Sequence, residues 1–169
     1  EGSGAHRRIS VALEEALKAG LLERREHRFF FSHDRVREAT LKDLSPERRA
    51  GLELKLGRAL ARDAGQDDEM LFAAVSHLNR ARTLITERSR RERLAAMNLR
   101  AGRRARDTGA YGAALNFLQT GAQLADFPSR YRLALLLHEG ACEAAYLARE
   151  FAVMDSFCQS VQQQAHSVL

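Results

Sequence analysis

Apolar residues recur at helix spacing along most of this chain, and a strand period shows in one place only. Ile9, Leu13, Ala16 and Leu17 fall on one side of a helix spanning 9–19, which Gly20 is suited to stop. Leu21 to Arg25 and Arg28 to Ser32 predict two short strands around Glu26-His27, since three consecutive phenylalanines favour extended chain. Ser32 is placed to cap the next helix and Asp34 to favour its first turn. That helix spans 33–44 and carries Val36, Ala39, Thr40 and Leu44 on one side. Ser45-Pro46-Glu47 then restarts the helix, with a capping hydroxyl, a proline at the first position and an acid behind it. Further helices are predicted over 46–63, 68–82, 88–107, 111–124, 129–148 and 151–167, with breaks short enough to make consecutive helices antiparallel neighbours.

The pattern therefore predicts a mainly α chain. Residues 1–45 form a winged-helix-like piece with a short β-hairpin, and residues 46–169 form a TPR-like antiparallel helical-repeat array. Helix, hairpin, helix within about 45 residues outlines a winged helix, although a generic αββα piece has the same outline. In the array, Gly109-Ala110-Tyr111-Gly112-Ala113-Ala114-Leu115 closes one helix and opens the next in the manner of a tetratricopeptide unit, with an aromatic at the turn and a small residue three positions on. Gly102 and Gly121 fall where such a unit needs small side chains. A mid-helix glycine costs about 1 kcal/mol against alanine, and a close helix crossing would justify that cost. Phe151 lies 40 residues after Tyr111, with Cys142 before it and Met154 after it. This is longer than the usual period of about 34, and Asp126 to Ser129 can hold the excess. A looser earlier unit runs from Leu54 through Gly57 to Ala74, Leu78 and Ala81, and an irregular helical bundle is the competing description.

Composition narrows the class. With 45% hydrophobic and 29% charged residues and no apolar run near the ~20 needed to span a bilayer, the chain reads as a soluble cytoplasmic protein. It begins with Glu1 and shows no export segment, which fits a piece of a longer chain with Glu1 to Gly4 as cloning residue. Cys142 and Cys158 give no disulfide framework and read as buried small hydrophobes in a reducing compartment. Net charge is +5, and the stretch from Arg80 to Arg106 alone carries a surplus of about eight positive charges. The remainder is near neutral, and the preference for arginine over lysine is first of all compositional.

Candidate chemistry is sparse. His77 lies beside the apolar positions Ala74, Leu78 and Ala81 and reads as a structural histidine. His6, His27, His138 and His166 lack metal-ligand spacing, and no Ser, Cys or Lys has an evident base partner. On the helix spanning 88–107, Leu94, Asn98, Ala101, Gly102 and Ala105 share one face, while Arg90, Arg93, Arg100, Arg103 and Arg104 crowd the other with Met97. That second face is either a solvated outer surface or a docking surface for an acidic partner. Arg93, Arg100, Arg103 and Arg104 are the candidate partner-binding residues.

Phe29 to Glu38 (F-F-F-S-H-D-R-V-R-E), followed by Ser45-Pro46-Glu47-Arg48-Arg49, resembles the winged-helix end of STAND signalling ATPases. Val75-Ser76-His77-Leu78-Asn79-Arg80-Ala81 and Leu99-Arg100-Ala101-Gly102-Arg103 resemble the helical region that follows it there. The nearest look-alikes are large bacterial multidomain proteins joining a Ser/Thr kinase, this ATPase and a sensor histidine kinase; maltose-activator-type regulators and plant NLR receptors are more distant. The resemblance implies a regulatory role, with nucleotide held by an upstream P-loop domain and a winged-helix histidine followed by Asp reaching the ADP phosphate at rest. His33 would be that sensor and Asp34 its helix-capping neighbour, since a helix N-terminus favours an anion. No G-x-x-x-x-G-K-[ST] is present, so ATP or ADP would belong to the parent protein and no cofactor to this segment.

Two functions are weighed. One is a non-catalytic regulatory and protein-interaction segment that binds a protein partner or neighbouring domains of its parent. The alternative is a fragment of a DNA-binding winged-helix transcriptional regulator. The helix spanning 33–44 balances Asp34, Glu38 and Asp43 against Arg35, Arg37 and Lys42, which argues against nucleic acid, while Arg24, Arg25 and Arg28 on the hairpin keep it in play.

Overall fold

A computed structural model of the chain describes residues 2–26, 28–65 and 67–166, with side chains from Ile9 to Gln164 except Arg28. Expectations for Glu1, His27, Gln66 and Ser167, and for the side chains of His6 and His166, lie outside the described residues. The described elements are α1 (Gly2–Lys18), β1 (Leu22–Arg25), β2 (Arg28–Phe31), α2 (Asp34–Lys42), α3 (Pro46–Asp63), α4 (Asp68–Arg80), a 3-10 turn (Arg82–Leu84), α5 (Arg88–Asp107), α6 (Tyr111–Leu124), α7 (Phe127–Leu147) and α8 (Phe151–His166). The protein is thus mainly helical with one small antiparallel hairpin near its N-terminus. It divides into two compact units, Glu1–Arg49 and Ala50–Leu169.

In the first unit, α1 begins earlier than its apolar spacing predicts and ends at Gly20, where Leu21 N–H bonds back to the Ala16 carbonyl at 2.9 Å. β1 and β2 pair with Leu22 opposite Phe31 and Arg24 opposite Phe29. The expected cap from Ser32 is not made. Its hydroxyl donates instead to the Gly20 carbonyl at 2.6 Å and closes the base of the hairpin, so His33 becomes the N-cap of α2 without a side-chain cap bond. Ser45 does cap α3, accepting from Arg48 N–H at 3.3 Å. Leu13, Ala16 and Leu17 are half-buried as their spacing predicts, but no residue of this unit with a described side chain is fully buried. Phe29, Phe30 and Phe31 are 42%, 43% and 44% exposed.

The second unit has two clusters of buried side chains, the smaller made by Leu71, Val75 and Ala101, bridged by the partly buried Phe72, Met97 and Phe117. Leu71, Val75, Leu94, Leu118 and Leu137 are its largest fully buried apolar side chains, each contributing roughly 1.5–3 kcal/mol by leaving water. Glycines set how closely the helices cross. A Cβ on Gly102 of α5 would lie 2.4 Å from Leu118 Cγ of α6, and one on Gly121 of α6 would lie 2.5 Å from Leu137 Cδ2 of α7. One on Gly57 of α3 would lie 2.7 Å from Leu78 Cγ of α4. α5 packs on α7 as well as on α6. Two ion pairs lace that contact, Glu92 with Arg130 at 2.7 Å near the helix starts and Arg106 with Glu143 at 2.6 Å further along.

A 40-residue offset relates the pair α5–α6 to the pair α7–α8, since Tyr111 and Phe151 open corresponding helices and Asp107 and Leu147 end corresponding ones. The turns share their closing bonds. Ala110 N–H reaches the Ala105 carbonyl at 2.8 Å, and Glu150 N–H reaches the Ala145 carbonyl at 2.8 Å. Both turns need a left-handed residue, Gly109 at φ +78 in the first and Arg149 at φ +62 in the second. The buried polar residues Asn98 and His138 hold equivalent positions. Asn98 Nδ2 donates to the Leu94 carbonyl at 3.0 Å, and His138 Nδ1 bonds the Ala134 carbonyl at 2.8 Å, each one helical turn back. Asn98 also exchanges two amide bonds with Asn79 of α4, at 2.8 and 2.9 Å, which satisfies both groups and fixes α4 against α5. The excess length assigned to 126–129 is taken up within α7. Asp126 caps Ser129 N–H at 2.8 Å, and Arg130 leaves helical geometry (φ −140, ψ 53), so the first turn is set off by a kink.

Candidate partner-binding surface

His33 sits at the N-cap of α2 in extended geometry (φ −142, ψ 144), with its side chain exposed. Asp34 begins the helix and pairs with Arg37 at 3.5 Å, both in water, where such a pair contributes little. On the hairpin, the Arg24 guanidinium lies 6.0 Å from the Phe29 ring centroid and that of Arg25 lies 5.5 Å from the Phe30 centroid.

The four candidate arginines of α5 separate into different jobs. Arg100 donates to the Gly65 carbonyl at 2.6 Å and Arg104 pairs with Asp68 at 3.3 Å, so these two hold the α3–α4 turn and the start of α4 against α5. Arg103 is exposed. Arg93 faces the other way, into a groove of about 510 Å³ lined by α3, α4, the 3-10 segment and α5. The groove floor is apolar: Leu78, Ile85 and Leu94 are buried, and Ala61 and Met97 are half-buried. Its rim is cationic, with Lys55, Arg58 and Arg62 from α3 and Arg90 and Arg93 from α5, and no acidic side chain lines it among the described residues. Arg90 is paired with Glu87 at 2.6 Å. Lys55, Arg58, Arg62 and Arg93 have no ion pair among the described residues.

The α3 half of this rim is absent from the sequence expectations, which weighed α5 alone. Its signal was available, since Lys55, Arg58 and Arg62 follow i, i+3, i+7 spacing and so share a helix face. That the face closes on α5 is tertiary information. His77 also gains a partner the sequence did not suggest. It is half-buried and its Nδ1 makes a short bond to Glu53 of α3, with Arg80 3.5 Å from the same carboxylate. This network fixes the α3 wall against α4.

Charge balance at the edges of the unit follows the same geometry. The bond from Arg130, helped by Arg88, holds the Glu92 carboxyl below its usual range. Ser129 does the same for Asp126. The bonds to Asp107 and then Glu143 raise the Arg106 guanidinium. Cys142 and Cys158 are half-buried rather than buried and face one another with sulfurs 2.6 Å apart. Burial first, then the neighbouring thiol, pushes Cys142 up to about 11.

Comparison of the chain with protein-family models, with curated proteins and with solved structures finds no match. Among the described residues, no helix is long and apolar enough to cross a membrane, and no three His, Cys, Asp or Glu side chains are grouped to hold a metal ion.

Proposed function

We propose that this chain is a non-catalytic regulatory and protein-interaction segment of a larger STAND-type ATPase signalling protein in the bacterial cytoplasm. The TPR-like helices of the second unit are its partner-binding scaffold. The winged-helix-like piece couples that scaffold to a nucleotide-binding domain elsewhere in the parent. The observation that carries the reading is the contrast between the units. Both units expose large apolar side chains, Tyr146 and Phe151 among them in the second. The second is held by a buried core, however, whereas the first buries no described side chain fully and leaves Ile9, Val11 and the three hairpin phenylalanines more than 40% exposed. Such surface calls for another protein surface to lie against. His33, exposed at a helix start, suits the sensing role that the STAND resemblance implies.

A hydrogen bond to a charged group contributes roughly 1.5–3 kcal/mol, enough to bias a two-state switch by about one to two decades. The test is His33→Ala in the intact parent, read as ADP affinity and basal signalling, together with ATP turnover by the purified chain. Weakened ADP binding in the parent and no turnover by the chain are expected. Robust turnover by the chain refutes the non-catalytic assignment, and unchanged ADP affinity with unchanged signalling removes His33 from the site.

A further inference from the structure

Resting on the scaffold reading above, the geometry points to one occupant for the α3–α5 groove: an acidic amphipathic peptide segment of a partner protein, its apolar stripe on the groove floor and its carboxylates on the two cationic walls. Three features of the groove select that chemistry.

The first is the arrangement of charge. Lys55, Arg58 and Arg62 come from α3 and Arg90 and Arg93 from α5, so positive charge stands on both sides of a strip made by Leu78, Ile85, Leu94, Ala61 and Met97. A ligand that satisfies both must alternate in cross-section, apolar in the middle and anionic on each flank, which is what a helix with acids around a leucine stripe presents. The second is availability. Arg100 and Arg104 are spent on the α3–α4 turn and the start of α4, whereas Lys55, Arg58, Arg62 and Arg93 have no ion pair among the described residues. The third is composition. Among the described residues no aromatic side chain lines the groove, so they offer no platform on which nucleic-acid bases could stack. Met97 lies on the floor, where a flexible thioether adapts to varied apolar partners.

The test uses the whole chain and two labelled peptides of about four helical turns. One has leucine at helix spacing flanked by glutamate, and the other is its scramble with identical composition. Binding is followed by fluorescence anisotropy, with phosphatidylglycerol vesicles as competitor. The expected result is binding of the patterned peptide at least about tenfold tighter than the scramble, weakening as salt rises. It is lost in Arg58→Glu/Arg93→Glu and reduced in the milder Arg58→Ala/Arg62→Ala, with circular dichroism reporting that each variant is folded. Arg132→Glu, exposed on α7 and outside the groove, should leave binding unchanged.

Equal binding of both peptides overturns the proposal, because charge alone would then explain it. Displacement by vesicles at equal anionic charge also overturns it and assigns the groove to a lipid surface. Patterned binding that survives the groove variants but fails in Arg132→Glu removes the groove while leaving the scaffold reading standing. Absence of binding by either peptide overturns the acidic-segment assignment, and the parent-protein test with His33→Ala still judges the scaffold independently.

Discussion

Gly102→Ala should destabilise the protein although alanine is the better helix former, and it should become stabilising once Leu118 is truncated. The added Cβ would meet Leu118 Cγ at 2.4 Å and Cδ2 at 2.8 Å, the first of them more than 1 Å inside ordinary carbon–carbon contact of about 3.5–4.0 Å. Leu118 has little room to retreat. It is 1% exposed, and its Cδ2 already lies 3.1 Å from where a Cβ on Gly140 would stand, so it is wedged between α5 and α7. Overpacking of this kind costs about 1–3 kcal/mol, and the severity of the overlap places it at the upper end. The helix-propensity gain of about 1 kcal/mol offsets part of that, leaving a net loss of about 2 kcal/mol. At this chain length such a loss lowers the melting temperature by about 4–8 °C.

Leu118→Ala alone should cost about 2–5 kcal/mol, but it removes the three atoms nearest the new Cβ. Adding Gly102→Ala in that background should therefore recover about 1 kcal/mol, a coupling of about 3 kcal/mol between the two positions. Urea unfolding followed by far-ultraviolet circular dichroism on the four proteins measures this directly. If Gly102→Ala changes stability by the same amount and sign in both backgrounds, the close α5–α6 crossing is not what that glycine serves.

Two further expectations come from the turn and the thiol pair. Arg149 takes the left-handed conformation that Gly109 takes in the preceding pair, so Arg149→Gly should raise stability by about 1 kcal/mol, and the same unfolding assay showing a loss would contradict the equivalence of the two turns. Diamide should join Cys142 to Cys158, the two thiols giving up two electrons and two protons to the reagent, with no cross-link in Cys142→Ser; failure of wild type to cross-link would contradict the sulfur contact. Because the Cys142 pKa is raised in the folded chain to about 11 from an ordinary 9.0, its contribution to stability is complete below about pH 9 and is lost as pH rises towards 11. A melting temperature in reductant that falls more steeply over that interval in wild type than in Cys142→Ser is the expected signature.

Helix positions were legible in the sequence because they depend on spacing and on local punctuation. α3, α5 and α6 coincide with their predicted bounds, and the buried face of α5 is the one its spacing selects. Glycines reserved for close crossings were legible too, since a costly residue in mid-helix asks for a reason. The failures lie where a side chain chooses among partners distant in the chain. Ser32 had a local use as a cap and took a bond to Gly20 instead. His138, passed over as scattered, is packed between Phe127 and Phe157 at centroid distances of 4.8 and 5.4 Å. Asn98 was placed on the apolar face with no partner in view, and Asn79 supplies one from α4. For the candidate site, α5 showed its arginines but not which were already engaged, and the contribution of α3 depended on a tertiary contact that periodicity does not encode.

The two walls of the groove are not equally stiff. The α5 wall is braced by the α5–α7 ion pairs at both ends and by the Asn79–Asn98 exchange. The α3 wall is secured by one close crossing, Gly57 on Leu78, and by fewer polar links: one carboxylate, Glu53, shared by His77 and Arg80, and the Arg100 bond to the Gly65 carbonyl just past its end. Compliance is therefore concentrated on one side. A wider or narrower occupant would be accommodated by swinging α3 about that crossing while α5 holds still, so the cleft would behave as a jaw with one fixed and one sprung half.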